Sequence, residues 1–278
     1  MLQSRVDAVE LAVNIRGAKP LQLEKSTTTD VAPRAARAAE PAHTQPVGAA
    51  DPRLVFIDLG ANCGNSFKRL RNQKKLESPD WEAWLWEANP QMVHFYLNDL
   101  AKEDRRIRVV ELAAWTENKK MQFFLTRGQE DVTDIKKFKA HQCKAGSHYQ
   151  PSGASSLFSG KGDGGADDKA RRKSKYVAGK AVEVDAVDFN EWMRDQQLVD
   201  ADNVILKIDI EGAEIPLLKH MLESGDEICQ VDHFLIEWHS WLLSNVAQKE
   251  ETERFENDFI NKTVTEKCGK TPKFGMWH

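Results

Sequence analysis

No run of apolar residues in this sequence approaches the ~20 that a membrane-spanning helix needs, so no membrane span is expected. Cysteine is scarce as well. The four cysteines, Cys63, Cys143, Cys229 and Cys268, are widely scattered, with no CxxC pair and no histidine at zinc-ligand spacing. That excludes the usual structural zinc frameworks, and its simplest reading is a reducing compartment. Net charge is lacking too. The 39 basic and 43 acidic side chains leave a formal charge of −4, which offers nucleic acid or an anionic membrane no attraction to the molecule as a whole. The first residues do not follow the basic-then-apolar layout of a secretory signal, and Asp7, Glu10, Glu24 and Asp30 interrupt anything like a transit peptide. The expectation is a cytoplasmic protein with no nucleic-acid partner.

What is present is enough apolar material, 41% of 278 residues, for one sizeable core plus appendages. Residues 1–52 read as a flexible tail and linker: from Ser26 to Pro52 the text is Ala, Pro, Thr and small polar residues, without large apolar side chains to build a core. Residues 53–278 then form the catalytic-size domain. Here short β-branched runs alternate with helical periods, the pattern of an α/β fold with a mainly parallel sheet. The strand candidates are "LVFIDL", "AWLWE", "IRVVEL", "AVEVDAV", "VILKIDI" and "HFLIEWH". Among the helices, "NPQMVHFYLNDL" starts with Asn89 as cap and Pro90 in its first turn, and places Val93, Tyr96, Leu97 and Leu100 on one face. "DFNEWMRDQQL" and "EIPLLKHML" carry inward stripes of the same kind, the first capped by Asp188. From about 127 to 180 the periodicity fails, and "SGKGDGGADDKARRKSK" reads as a mobile charged insertion. Its basic run is a solvated face or a grip for an anionic acceptor.

The motif that bears on chemistry is "VFIDLGANCGNS". A strand feeding a helix through a glycine turn presents backbone N–H groups and a positive helix end to a ligand at the sheet's C-terminal edge. Gly60 and Gly64 suit close backbone approach, but Asn62 and Asn65 stand where a dinucleotide fingerprint has its second and third glycines. Asp58 would repel a phosphate and attract an ammonium. A ligand with an amino-acid end and no phosphate, such as S-adenosylmethionine, fits that pattern; a tight structural turn with Asp58 capping nearby amides is the plain alternative. Glu87, closing "AWLWE", stands where a strand-end acid can accept hydrogen bonds from two ribose hydroxyls.

In "VILKIDIEGAEIPLL", Lys207, Asp209, Glu211 and Glu214 lie within eight residues of a strand end, costly to bury unless paired, so a cleft is expected there. Glu211 and Glu214 also suit a helix N-terminus. Glu237 and His239 close the last strand on one face, and a histidine there can serve as a general base.

These residues together resemble the FkbM family of S-adenosylmethionine-dependent methyltransferases, over roughly Asp51 to Ser240. The resemblance rests on "FIDLGANCGNS", "LWEANP", "VVELAAW", "GASSLF", "VEVDAVDFNEW" and, most distinctively, "LKIDIEGAE". It implies a class I methyltransferase (Rossmann-like) fold, a mainly parallel seven-stranded sheet with helices on both faces and an antiparallel last strand, for which "TVTEKCGKTPKFGMWH" offers a closing hairpin around "GKTP". It implies S-adenosylmethionine bound by Asp58, Gly60, Asn62, Gly64 and Glu87, with Ala113 or Ala114 near the adenine and Ser155 and Ser156 lining the site. It also implies O-methylation of a sugar or other small-molecule or glycan hydroxyl. On the acceptor side Asp209 and His239 are the candidate bases or hydroxyl positioners, with Lys207 and Glu237 as supporting charges. That scheme needs no metal; a variant makes Asp209, with Glu211 or Glu237, ligands for a hard divalent cation. The competing readings are a nicotinamide-dependent oxidoreductase and a catalytically silent methyltransferase-like interaction module.

Overall fold

Runs of β-branched and aromatic residues become the strands of a sheet buried on both faces. In a computed structural model of the chain, the described residues are 52–73, 75–76, 80–126, 157, 178–239 and 246–277. All belong to the unit Ala49–His278. Among them the strands are β1 Leu54–Leu59, β2 Trp81–Trp86, β3 Ile107–Val110, β4 Ala113–Trp115, β5 Lys119–Thr126, β6 Ala178–Asp188, β7 Asn203–Ile208, β8 His233–Ile236 and β9 Lys273–Met276. The central sheet runs β3-β2-β1-β7-β8-β9, and each neighbouring pair is parallel. A smaller sheet has the order β4-β6-β5, with β4 parallel and β5 antiparallel to the shared strand β6. The tail, the linker and almost all of the charged insertion lie outside the described residues.

Strand alternation sorts the core into two layers. Val55, Ile57, Leu59, Trp86, Val204, Leu206, Ile208, Phe234 and Ile236 form one face. They meet Phe189 and Met193 of α3 (Phe189–Asp195), Leu217, Leu218 and Met221 of α4 (Glu214–Glu223), and Phe259 and Val264 beyond α5 (Val246–Asp258). Phe56, Ala83, Leu85, Ile107, Ile205 and Leu235 form the other, under Phe67 and Leu70 of α1 (Asn65–Asn72) and Val93, Leu97 and Leu100 of α2, residues 90–103. Helix α2 begins as expected, with the Asn89 side chain accepting from the Gln91 N–H and Pro90 in the first turn. A π-helical stretch at Val93–Leu97 then inserts an extra residue into the turn. Tyr96 thereby leaves the stripe of Val93, Leu97 and Leu100 and packs instead towards Cys63 and Met92.

Several expectations are corrected. Among the described residues the central sheet has six strands rather than seven, and its last strand is parallel rather than antiparallel. No hairpin forms around "GKTP": Thr265–Cys268 is helical, Gly269 at φ 64° ends it in the left-handed conformation, and β9 follows. Helix α5 and its continuation are the crossover that a parallel β8–β9 pair requires. The "AVEVDAV" segment belongs to the small sheet, not the central one. Its Val184 and Ala186 are buried while Glu183 and Asp185 are exposed, the one-sided alternation of a sheet with a wet face.

The cysteines supply a further correction. Cys229, in the turn before β8, is disulfide-bonded to Cys268 at the end of the helix that delivers β9, and Cys63 is disulfide-bonded too. Paired cysteines are characteristic of oxidising compartments and were not expected from the scattered spacing. Spacing in sequence carried no sign of this, because the helical crossover brings together residues 39 apart. No helix among the described residues is long and apolar enough to cross a membrane.

Candidate active site

Register alone assembles the first part of the site. Asp58 on β1 lies directly beside Lys207 on β7 in a parallel pairing, on the face shared with Phe56 and Ile205. Both side chains are almost wholly buried, at 0% and 1% exposed. Such burial is tolerable only with a partner of opposite charge. Lys207 Nζ reaches Asp58 Oδ1 at 3.0 Å and Asp209 Oδ2 at 3.1 Å, and donates to the Gly60 carbonyl at 3.1 Å. Burial acts to strip the lysine's proton, but Asp209 and Asp58 together outweigh it and hold the ammonium above the ordinary lysine range. Burial pushes the Asp58 carboxyl up, and Lys207 pulls it back. Asp58 therefore faces a lysine, not an open cleft.

The turn after β1 is fitted to its neighbours with little room. Gly60 has φ 79°, and a Cβ there would lie 1.8 Å from the Asp209 carbonyl oxygen, so the close approach that demands glycine is to the backbone leaving β7. Gly60 and Ala61 donate their N–H groups to the Trp86 carbonyl at 3.1 and 2.8 Å, tying the turn to the end of β2. Asn62, at φ 51°, adopts the left-handed region that asparagine tolerates, and its N–H donates to Glu87 Oε2 at 2.7 Å. Gly64, at φ 69°, leads into α1 packed against Leu100 and Leu97 of α2.

Glu87 sits one residue beyond β2, its N–H held by the Val110 carbonyl. Its second oxygen, Oε1, accepts from the Asn89 N–H at 2.8 Å. Burial pushes this carboxyl up to about 7, against the pull of the Asn89 and Asn62 amides. Ala113 and Ala114 are buried just past β3; Ala113 shares a cluster with Ala88, the residue after Glu87, and with Leu157 of "GASSLF". Ala114 turns into the main core instead. Ser155 and Ser156 lie outside the described residues.

The acceptor-side candidates gather at the ends of β7 and β8. His239 is buried, and its Nδ1 lies 2.9 Å from Glu214 Oε1. Its Nε2 lies 3.5 Å from Glu211 Oε2 and 3.8 Å from Glu237 Oε1. Glu214, the first residue of α4, also accepts from the N–H groups of Ile210 and Gly212, so it ties down the turn before the helix and orients the histidine together. Burial acts to lower the His239 pKa, but Glu214 and then Glu211 outweigh it and raise it to about 9. Glu211, at φ 53°, is pushed up to about 8 by burial despite the facing histidine. Asp209, Glu211 and His239 each offer a ligand atom, all within 4.8 Å of one another.

Asp58, Gly60, Asn62, Gly64 and Glu87 thus converge on one turn, and Lys207, Asp209, Glu237 and His239 on the neighbouring strand ends. The residues that sequence reasoning undervalued are Glu211 and Glu214, both readable as ordinary helix-start acids. The signal was their density, four ionisable groups in "KIDIEGAE" with "EWH" as the only other strand end so charged.

No curated protein and no solved structure matches the chain significantly. The family profile of the methyltransferase FkbM domain matches residues 58–270, from the first acid of the glycine turn to the residue before the final loop. With three quarters of its length so matched and the central parallel sheet in place, the chain belongs to the FkbM methyltransferase domain family.

Proposed function

We propose that this methyltransferase takes its methyl group from S-adenosylmethionine and transfers it to a hydroxyl of a sugar or other small-molecule or glycan acceptor. The observation that carries the donor assignment is Glu87. Each of its carboxylate oxygens takes one backbone N–H, from Asn62 and from Asn89, and keeps a further acceptor position for one of two neighbouring ribose hydroxyls. Ala88 and Ala113 give the adjoining apolar surface that a purine needs. For the amino-acid end of the donor the fit is different from a direct contact with Asp58, whose partner is Lys207. The backbone of the 60–64 turn is the surface available to it, with the Asp58–Lys207–Asp209 chain bracing that turn from below.

When bound, the donor supplies a methyl group already activated on a sulfonium. The protein's own task is to hold an acceptor oxygen in line behind that methyl, exclude water and take the hydroxyl proton as the carbon–oxygen bond forms and the carbon–sulfur bond breaks. Asp209, partly exposed at the end of β7 and fixed on one oxygen by Lys207, is placed to receive that proton. His239, with its pKa raised to about 9, is protonated at neutral pH in the free protein and serves as hydrogen-bond donor and positioner rather than as base. Glu237, 3.8 Å from His239 and partly exposed, is the group beside it nearest to solvent.

The disulfide favours an oxidising compartment over the cytoplasm for this activity. Incubation of the full chain with methyl-labelled S-adenosylmethionine and fractionated small-molecule and glycan extracts tests the reading. Label in a hydroxyl-bearing product supports it. Tight nicotinamide dinucleotide binding with no sulfonium binding would replace it by the oxidoreductase reading, and no binding of either by the silent module.

A further inference from the structure

We propose that Asp209, Glu211 and His239 form a binding site for one divalent cation of the manganese and magnesium class, on the acceptor side of the methyl-transfer cleft. The proposal deepens the functional reading above and rests on it for the cation's role, but not for its binding. Three observations carry it. The first is geometric: one ligand atom from each of the three residues lies within a 4.8 Å span, a little wider than the ~4.3 Å diameter of a shell with ligands at about 2.1–2.2 Å, so small side-chain movements close the three onto one ion.

The second is the support behind the ligands. A metal-binding imidazole characteristically has its other nitrogen fixed by a carboxylate or carbonyl, which sets its tautomer and ring orientation. His239 Nδ1 is held in that way by Glu214 Oε1 at 2.9 Å, and Glu214 is itself fixed by the amides of Ile210 and Gly212. Nε2 is thereby aimed at Glu211 Oε2 and Glu237 Oε1. Asp209 has the same kind of anchor, with Oδ2 held by Lys207 at 3.1 Å. Two of the three proposed ligands, His239 and Asp209, thus have a fixed position before any cation arrives.

The third is charge. Asp58, Asp209, Glu211, Glu214 and Glu237 gather around two basic side chains, Lys207 and His239. Lys207 serves Asp58 and Asp209 from a buried position, leaving the solvent side of the cluster to carboxylates. A dication there offsets part of the negative charge gathered among these described side chains. The exposure gradient gives the site its open side: His239 is buried, whereas Asp209 and Glu211 are partly exposed. A cation on three protein ligands keeps positions for oxygen ligands from that side, and an acceptor hydroxyl placed in one of them is both oriented and made more acidic. Mixed carboxylate and imidazole donors suit manganese, with magnesium the competing ion. Glu237 replaced Glu211 in one reading of the sequence, but with 3.8 Å to Nε2 and a side chain 36% exposed it is the outer member of the group.

The test uses Mn²⁺ alone on the full chain, followed by electron paramagnetic resonance and calorimetry, with Mg²⁺ as competitor. One saturable Mn²⁺ per chain is expected. Glu211→Gln and His239→Ala should each weaken it at least tenfold without changing the circular dichroism, and Glu237→Gln should weaken it less than threefold. Asp209→Asn also disturbs Lys207, so Glu211→Gln is the decisive variant. Absence of saturable Mn²⁺ binding, or equal binding by the wild type and Glu211→Gln, overturns the site. S-adenosylmethionine is titrated separately with chelator present: donor binding without Mn²⁺ binding removes the cation site and leaves the methyltransferase reading, whereas Mn²⁺ binding without donor binding does the reverse.

Discussion

Two clusters of charge meet at Asp209, and they use the same kinds of residue differently. On its inner side, Asp58 and Lys207 are sealed under the β1 turn, 0% and 1% exposed, with no room for a ligand. On its outer side, Glu211, Glu214 and Glu237 crowd like charges around His239, with Glu211 and Glu237 partly exposed. A sealed ion pair contributes position: it fixes the turn that faces the donor and leaves nothing free to react. The open cluster retains unspent electrostatic capacity, the property expected where a proton, hydroxyl or cation must be handled.

The comparison breaks most visibly at Lys207. Lys207→Met leaves Asp58 buried without a counter-charge, and denaturant unfolding should show a loss of about 3–5 kcal/mol. Glu211→Gln should change stability by less than about 1 kcal/mol in the same measurement, because it relieves crowding among carboxylates instead of orphaning one. Equal losses in the two variants would erase the distinction. On the working side, His239→Ala should slow methyl transfer by roughly 10²-fold, the scale of a lost positioning contact, with donor affinity unchanged. Single-turnover rates with labelled donor, set beside calorimetric affinities, separate the two quantities.

Smaller effects belong to Glu87. Replacing it by alanine removes the paired acceptors for the ribose and should weaken donor binding by roughly 10–150-fold, equivalent to about 1.5–3 kcal/mol for hydrogen bonds to a charged group. Its pH dependence sharpens this. With the free-protein pKa raised to about 7, the carboxylate that accepts ribose hydroxyls is depleted below that pH. Donor affinity should fall by up to about tenfold per unit as pH drops below 7 and level off above it. Titrations at several pH values check this, and Glu87→Ala should flatten the profile.

The central strands were legible because both faces are buried and every side chain is chosen for it. "LVFIDL" and "VILKID" read as strands, and their in-register pairing follows once both lead into the same edge. Asp58, Lys207 and Asp209 were visible as charges in apolar runs, yet their pairing was not, since it depends on which strands become neighbours. Register put Lys207 beside Asp58 and gave the acid a buried partner. His239 was found, but its proton affinity was not legible, because Glu214, from a different element, raises it. Strand β5 went unrecognised, although Met121, Phe123 and Leu125 alternate with Gln122 and Phe124, because its partner β6 lies beyond a long charged insertion. The disulfide was hidden for the same reason: sequence spacing does not report a contact made by a helical crossover.

The turn at 60–64 together with Glu87 is the proposed seat of the methyl donor. Calorimetric titration of the full chain with S-adenosylmethionine tests it most directly. One saturable site per chain, weakened in Glu87→Ala and retained in His239→Ala, is the predicted result. No binding by the wild-type chain, or binding that Glu87→Ala leaves untouched, would contradict it.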